Sequence, residues 1–287
     1  DVHDIELETI ESVTSTEIYE FLHYVTRERA NSPAARARKL SSLKGFYKYL
    51  CTKMKLIRVN PTDDVGIPAQ KKRLPKYLSL KEGTELLQSV QSDFYERDYC
   101  MITLFLNCGM RLSELVNINV TDIQDDGTIR IIGKGDKERL VYLNEACVKA
   151  LTRLCDERRK LPNLQDDKAL FVSKKTGKRL SARRVQQIVE GCLRAAGLSG
   201  KGYSTHKLRH TAATMMYQEG HVDMLALKEI LGHAHVSTTE IYTHLGAAQL
   251  KEAAKASPFA KMDFEHPPAA QETDGTKPHD EENRKVK

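Results

Sequence analysis

A chain of 287 residues with a net charge of +6 and ordinary hydrophobic content has room for one large or two modest domains, and is drawn mildly to polyanions. Six scattered cysteines without a C-x-x-C pair argue against a disulfide framework or a zinc cluster, and predict reduced thiols in a cytoplasmic protein. No apolar run nears the roughly 20 residues that a bilayer requires, and no basic-then-apolar leader opens the sequence, so no membrane partner is expected.

Charge is segregated at the start. Residues 1–30 carry eight acids against two bases, whereas residues 31–76 carry twelve bases against two acids. A helix is predicted near Thr16 to Thr26. Ser32-Pro33 then reads as an N-cap with proline at the first helical position, and Leu40, Leu43, Phe46, Tyr47 and Leu50 recur at helical spacing, so an amphipathic helix is expected from about Pro33 to Cys51. Its polar side holds Arg36, Arg38, Lys39, Ser41, Ser42, Lys44 and Lys48. That mixture suits phosphates and base edges in a major groove, and it equally suits a solvated face.

Residues 57–77 have linker composition, with Pro61, Gly66, Pro68 and Pro75 around the basic run Lys71-Lys72-Arg73, a run able to follow a phosphate backbone. Ser79-Leu80-Lys81-Glu82 is a capping-box pattern before a helix to about Val90, and a second apolar helix is expected over about Arg97–Cys108, ended by Gly109. β-branched alternation predicts two strands, Thr128–Ile132 and Glu138–Leu143, joined in a hairpin with Lys134 at its turn. Helical patterns follow at about 144–160, 182–196 behind Ser181, 206–218, 224–231, 238–243 and 246–255. From about Glu265 no apolar period survives, which predicts disorder. The fold class is therefore mainly α with a small antiparallel β-sheet. The expected domains are a helical N-terminal one at 1–68, a basic linker at 69–77, a second domain at 78–258 and a tail at 259–287.

The hairpin turn Gly133-Lys134-Gly135 lacks the spacing of a phosphate-binding G-x-x-x-x-G-K-[ST] loop and leads into a strand, so a P-loop is rejected. No acidic cluster suggests a two-metal nuclease. Four segments carry the chemistry: Cys108-Gly-Met-Arg-Leu-Ser-Glu-Leu115, Gly133-Lys-Gly-Asp-Lys-Glu-Arg-Leu140, Thr205-His-Lys-Leu-Arg-His-Thr211, and Leu231-Gly-His233 followed by Thr239-Glu-Ile-Tyr-Thr-His244. Together they resemble the catalytic domain of the tyrosine recombinases, nearest to the Xer-type resolvases and the simpler transposon integrases. The likeness runs from about Asn31 to Lys255.

The resemblance implies a site-specific recombinase that cleaves and rejoins double-stranded DNA through a 3′-phosphotyrosyl ester, for resolution or integration, with no metal, ATP or other cofactor. It implies Tyr242 as nucleophile, Arg111 and Arg209 on the phosphate oxygens, His206 as proton acceptor, His233 as hydrogen-bond donor and Lys134 as proton donor to the leaving 5′ oxygen. These roles suit the chemistry, because a phosphodiester displacement without metal needs fixed cations, and a phenol of pKa ~10 needs a base. Glu114, three residues after Arg111, is expected to steer that guanidinium. Lys137 and Arg139 are rivals to Lys134 on the same hairpin.

The architecture implied is a two-domain DNA clamp, with a helical core-binding (SAM-like) domain before the catalytic one. Members usually place four helices in the first domain; this sequence supplies the last two, so a first pair is expected before Asp1, and its lack is expected to weaken assembly. The partners implied are DNA and other protomers, as a tetramer on DNA that is weak or monomeric without it, or a related recombinase, in a nucleoid-associated cytoplasmic setting. The helix at 249–255 is expected either to dock into a neighbouring protomer or to pack on its own chain. A type IB topoisomerase and a non-catalytic DNA-binding regulator are the alternative functions.

Overall fold

The computed structural model describes residues 6–66, 76–132, 138–232 and 247–264. The chain divides into two compact units, Asp1–Leu74 and Pro75–Lys287.

In the first unit, α1 (Leu7–Glu11) precedes α2 (Ser15–Arg27) and α3 (Pro33–Tyr49). The short α1 has no counterpart among the sequence expectations. The start of α2 is fixed by Glu17, whose carboxylate accepts from the Thr14 backbone N–H at 2.7 Å, and that of α3 by Ser32, whose hydroxyl accepts from the Ala35 N–H at 3.2 Å. A π-helical turn, Leu50–Met54, continues α3 and stops where Lys55 takes a left-handed φ of 54°. Leu40, Tyr47 and Leu50 of this segment join Ile18, Leu22, Ile57 and Val65 in one small core. Phe46, expected in the buried stripe, is 45% exposed, because the stripe runs through 40, 43, 47 and 50 and leaves position 46 beside it.

The second unit is built around α5 (Tyr95–Cys108), in which every residue except Glu96 is buried. A helix apolar or paired on all sides belongs in a core. Its one internal ion pair, Arg97 to Asp98 at 2.7 Å, is buried with it, and Arg97 Nη1 also donates to the Val172 carbonyl at 3.2 Å. Around it lie α4 (Leu80–Gln88), α6 (Leu112–Asn117), α7 (Glu145–Arg159), α8 (Ala182–Ala195), α9 (Thr205–Gln218), α10 (Met224–Leu231) and α11 (Ala247–Lys255). The Ser79–Glu82 capping box closes reciprocally, with bonds of 2.9 and 3.2 Å. Strands β1 (Thr128–Ile132) and β2 (Glu138–Tyr142) pair antiparallel, Thr128 opposite Tyr142 and Ile132 opposite Glu138. The hairpin turn with Lys134 and the helix expected at 238–243 lie outside the described residues, as do Lys71, Lys72 and Arg73.

The expected end of the second domain at residue 258 needs correction. Phe259 is fully buried against Gly83, where a Cβ would stand 2.6 Å from its ring. Ser257 donates to Asn107 Oδ1 at 2.8 Å, Arg153 binds Asp263 at 2.7 Å, and the Phe264 N–H donates to the Tyr99 hydroxyl at 2.9 Å. Residues through 264 therefore belong to the body of this unit. Helix α11 packs on α10 of its own chain, with Leu250 and Ala253 against the cluster of Val222, Ala226 and Ile230.

Candidate active site

Two helices end on glycine at one place in the second unit. Gly109 closes α5 at φ 57° and Gly232 closes α10 at φ 64°, the left-handed conformation that only glycine takes without strain. Neither has room for a side chain. A Cβ on Gly109 would meet Leu231 Cδ2 at 2.6 Å, and one on Gly232 would meet Arg139 Nε at 2.8 Å.

The last carbonyls of a helix lack intrahelical partners and carry the negative end of its dipole. Arginines fill that need here. Arg209, buried on α9, donates to the Gly109 carbonyl and, at 2.6 Å, to the Leu231 carbonyl. Arg111, the N-cap of α6, donates to the Gly232 carbonyl at 3.2 Å. The two guanidinium groups are thus tied to the ends of α5 and α10, and α10 leads directly in sequence to His233.

Glu114 fixes Arg111 from the other side. Its side chain, 2% exposed, accepts from the Arg111 backbone N–H at 2.8 Å and from Arg111 Nη1 at 2.7 Å. Burial alone would raise this carboxyl; hydrogen bonds from Arg139 and from the Arg111 backbone and side chain outweigh it and hold the group at about 2. Arg209 moves the other way. Burial first, and the charge of Arg111 second, lower it to about 10, so it stays charged at neutral pH in a place that disfavours the charge. Arg111 and Arg139 bind one carboxylate, Glu114, and Arg209 feels its charge without bonding to it. The three arginines outnumber the one carboxylate among them, and a guanidinium fork has the geometry to match phosphate oxygens.

His206 sits exposed on the first turn of α9, three residues before Arg209, with its ring 4.7 Å from that of His210. Burial, then the neighbouring His206, lower His210, which keeps this second imidazole neutral more readily. Lys134, His233 and Tyr242 lie outside the described residues. The structure brings together Arg111, Glu114 and Arg209, and adds Arg139, which the sequence offers only as a rival to Lys134. Its sole signal there is two-residue alternation on β2, which points it the same way as the buried Val141.

In the first unit, Arg36 is half-buried and its Nη1 donates to Thr26 Oγ1 at 3.1 Å. Arg38, Ser41, Ser42 and Lys48 are exposed on α3, and Lys39 and Lys44 are half-buried.

Known proteins resemble this chain along most of its length. Residues 76–249 match the phage integrase family. Tyrosine recombinase XerC of Caldanaerobacter subterraneus subsp. tengcongensis is 51% identical over 261 residues, covering 91% of this chain and 73% of that protein. Tyrosine recombinase XerD of Pseudomonas putida is 35% identical over 229 residues, covering 78% and 76%. Among solved structures, the XerH site-specific recombinase bound to a palindromic difH substrate, in a post-cleavage complex, aligns with TM-score 0.65 at 28% identity, covering 86% of this chain and 73% of that one. The chain belongs to the phage integrase family and is a site-specific tyrosine recombinase of the Xer type.

Proposed function

We propose that this recombinase cuts and rejoins double-stranded DNA through Tyr242, with the arginine cluster as the receptor for the scissile phosphate. The observation that carries the reading is the cage itself: buried Arg209 and Glu114-bound Arg111 hold two forks in place before any substrate arrives. Preorganised charge of this kind is worth most where a transition state gathers negative charge in a water-poor site.

In the step proposed, the Tyr242 oxygen bonds to phosphorus and the bond from phosphorus to the 5′ oxygen breaks. His206 takes the phenol proton, Lys134 gives one to the departing 5′ oxygen, and His233 donates a hydrogen bond to a non-bridging oxygen. The 3′-phosphotyrosyl ester keeps the energy of the broken bond, so attack by a 5′ hydroxyl reseals the strand without ATP. A reciprocal exchange between two duplexes breaks four strands, and each chain supplies one Tyr242. A tetramer on DNA, of this chain alone or with a related recombinase, is the assembly that chemistry asks for. The first unit acts as the core-binding domain, with Arg36, Arg38, Lys39, Ser41, Ser42, Lys44 and Lys48 of α3 and Lys71, Lys72 and Arg73 after it on the DNA. The site of action is the nucleoid. Among the described residues, no helix is long and apolar enough to cross a membrane.

The test uses a duplex that the protein itself selects from a random-sequence pool, nicked beside the cut so that resealing fails. The unaltered chain is expected to form a covalent adduct that Tyr242→Phe abolishes. No adduct on a tightly bound, nicked duplex would overturn the reading.

A further inference from the structure

We propose that Arg139 is a positioning residue for strand cleavage, which locks Glu114 onto Arg111 and seats the end of α10; this rests on the reading that Arg111 serves the scissile phosphate. Arg139 is the second residue of β2, with its side chain 15% exposed. Its Nη1 and Nη2 donate to Glu114 Oε1 at 2.7 Å and Oε2 at 3.1 Å. The same two oxygens receive Arg111 Nη1 and the Arg111 backbone N–H. A carboxylate has about four lone-pair sites, and here each oxygen accepts twice, so Glu114 is saturated and cannot turn. Without Arg139, half of that restraint is gone, and the carboxylate that aims Arg111 is free to swing.

Arg139 also touches the other end of the cage. Its Nε, Cδ and Cζ would stand 2.8, 2.9 and 2.9 Å from a Cβ on Gly232, so the side chain packs closely against the residue that caps α10. Gly232 is the residue whose carbonyl Arg111 holds and which His233 follows. One side chain thus connects the hairpin strand, the arginine-bearing α6 and the end of α10.

A role in stability alone fits poorly. Among the described residues Arg139 Nε is buried without a hydrogen-bond partner, and the third guanidinium adds to the repulsion that lowers Arg209. Replacing a buried ion pair by apolar groups is commonly neutral or stabilising, so packing alone would favour another residue here. The arrangement spends stability on the aim of Arg111.

The experiment measures single-turnover cleavage at saturating nicked duplex, with duplex affinity and thermal melting recorded alongside, for Arg139→Gln, Arg139→Lys, Glu114→Gln and the double variant E114Q/R139Q of the full chain. A misaimed guanidinium predicts cleavage about 30-fold slower in Arg139→Gln, with affinity within about threefold of the unaltered chain. Arg139→Lys keeps the charge but loses the fork, and is expected to fall roughly fivefold even if the Gln variant melts too low to assay. The double variant is expected to be no slower than the slower single one, since both act through one contact. A second duplex carries sulfur in place of the 5′ bridging oxygen, so that the leaving group needs no proton. It is expected to rescue Lys134→Ala but not Arg139→Gln.

Unchanged cleavage in Arg139→Gln or Arg139→Lys, additive losses in the double variant, or sulfur rescue of Arg139→Gln would each overturn the proposal. Absence of an adduct with the unaltered chain would instead remove the reading beneath it.

Discussion

On α3, Arg38 and Lys48 stand exposed, and none of that helix's basic side chains makes an ion pair among the described residues; in the second unit, Arg111, Arg139 and Arg209 are each fixed by a carboxylate or by helix-end carbonyls. The same residue types are therefore held in two different ways. A solvated cation loses little by moving to meet a phosphate, and gives affinity through released counterions. A fixed cation has its ordering cost met during folding, so its charge is available when the phosphate changes shape. The prediction from this contrast is that α3 governs binding and the cage governs rate.

The largest expected effect tests the cage side. Arg209→Ala removes the most buried of the three guanidinium groups and should slow cleavage of bound, nicked duplex by about 10³-fold, while affinity changes by roughly threefold or less. Gel-resolved adduct formation and fluorescence binding measure the two separately. A variant that loses affinity and keeps its rate would reverse the roles of the two regions.

A fixed site needs a body that holds it, and Phe259 probes that body. Its ring is fully buried, and truncation in Phe259→Ala should cost about 3–5 kcal/mol, read as an earlier urea transition of the second unit with the first unit's transition unmoved. Movement of both together would mean that the two units share their stability.

Much of this contrast is legible in the sequence, for reasons of range. Ser79 and Glu82 announce a helix start because both partners lie within one turn, and Gly109 announces its end because one backbone conformation decides it. Arg111 and Glu114, three residues apart, can be paired on paper. Arg139 cannot, since its bond to Glu114 spans 25 positions and exists only once the hairpin lies against α6. Phe259 escapes for a different reason. A single aromatic beyond the last periodic helix has no pattern to reveal it, and its slot is made by Gly83, far earlier in the chain. Phe46 shows the converse fault: apolar type suggests burial, while the phase of the helix sets it outside.

Acid sharpens the description of the cage. The Glu114 carboxyl lies near 4.5 when unfolded and at about 2 when folded. A lowered value means that its contribution to stability is complete above about 4.5 and is lost as the pH falls from there toward 2, in total about 3 kcal/mol. Urea midpoints of the second unit at pH 5, 4 and 3 should show this loss, and Glu114→Gln should show less of it. An equal slope in the variant would mean that other carboxylates, such as Glu82, which is also held at about 2, dominate acid unfolding.

The smallest effects are expected on α3, and there the salt dependence says more than the affinity. Removing one cation from a phosphate should reduce the slope of log affinity against log salt by about 1, so Arg38→Ala and Lys48→Ala should each bind a few-fold more weakly at moderate salt, with shallower slopes. Once either variant is saturated with duplex, its cleavage rate should equal that of the unaltered chain, because these side chains are not held in a geometry that the transition state could exploit. Arg36 is the informative exception on the same helix. Its bond to Thr26 already fixes it, so Arg36→Ala should weaken the packing of α2 on α3 as well as the slope, and melting of the first unit separates it from its two exposed neighbours.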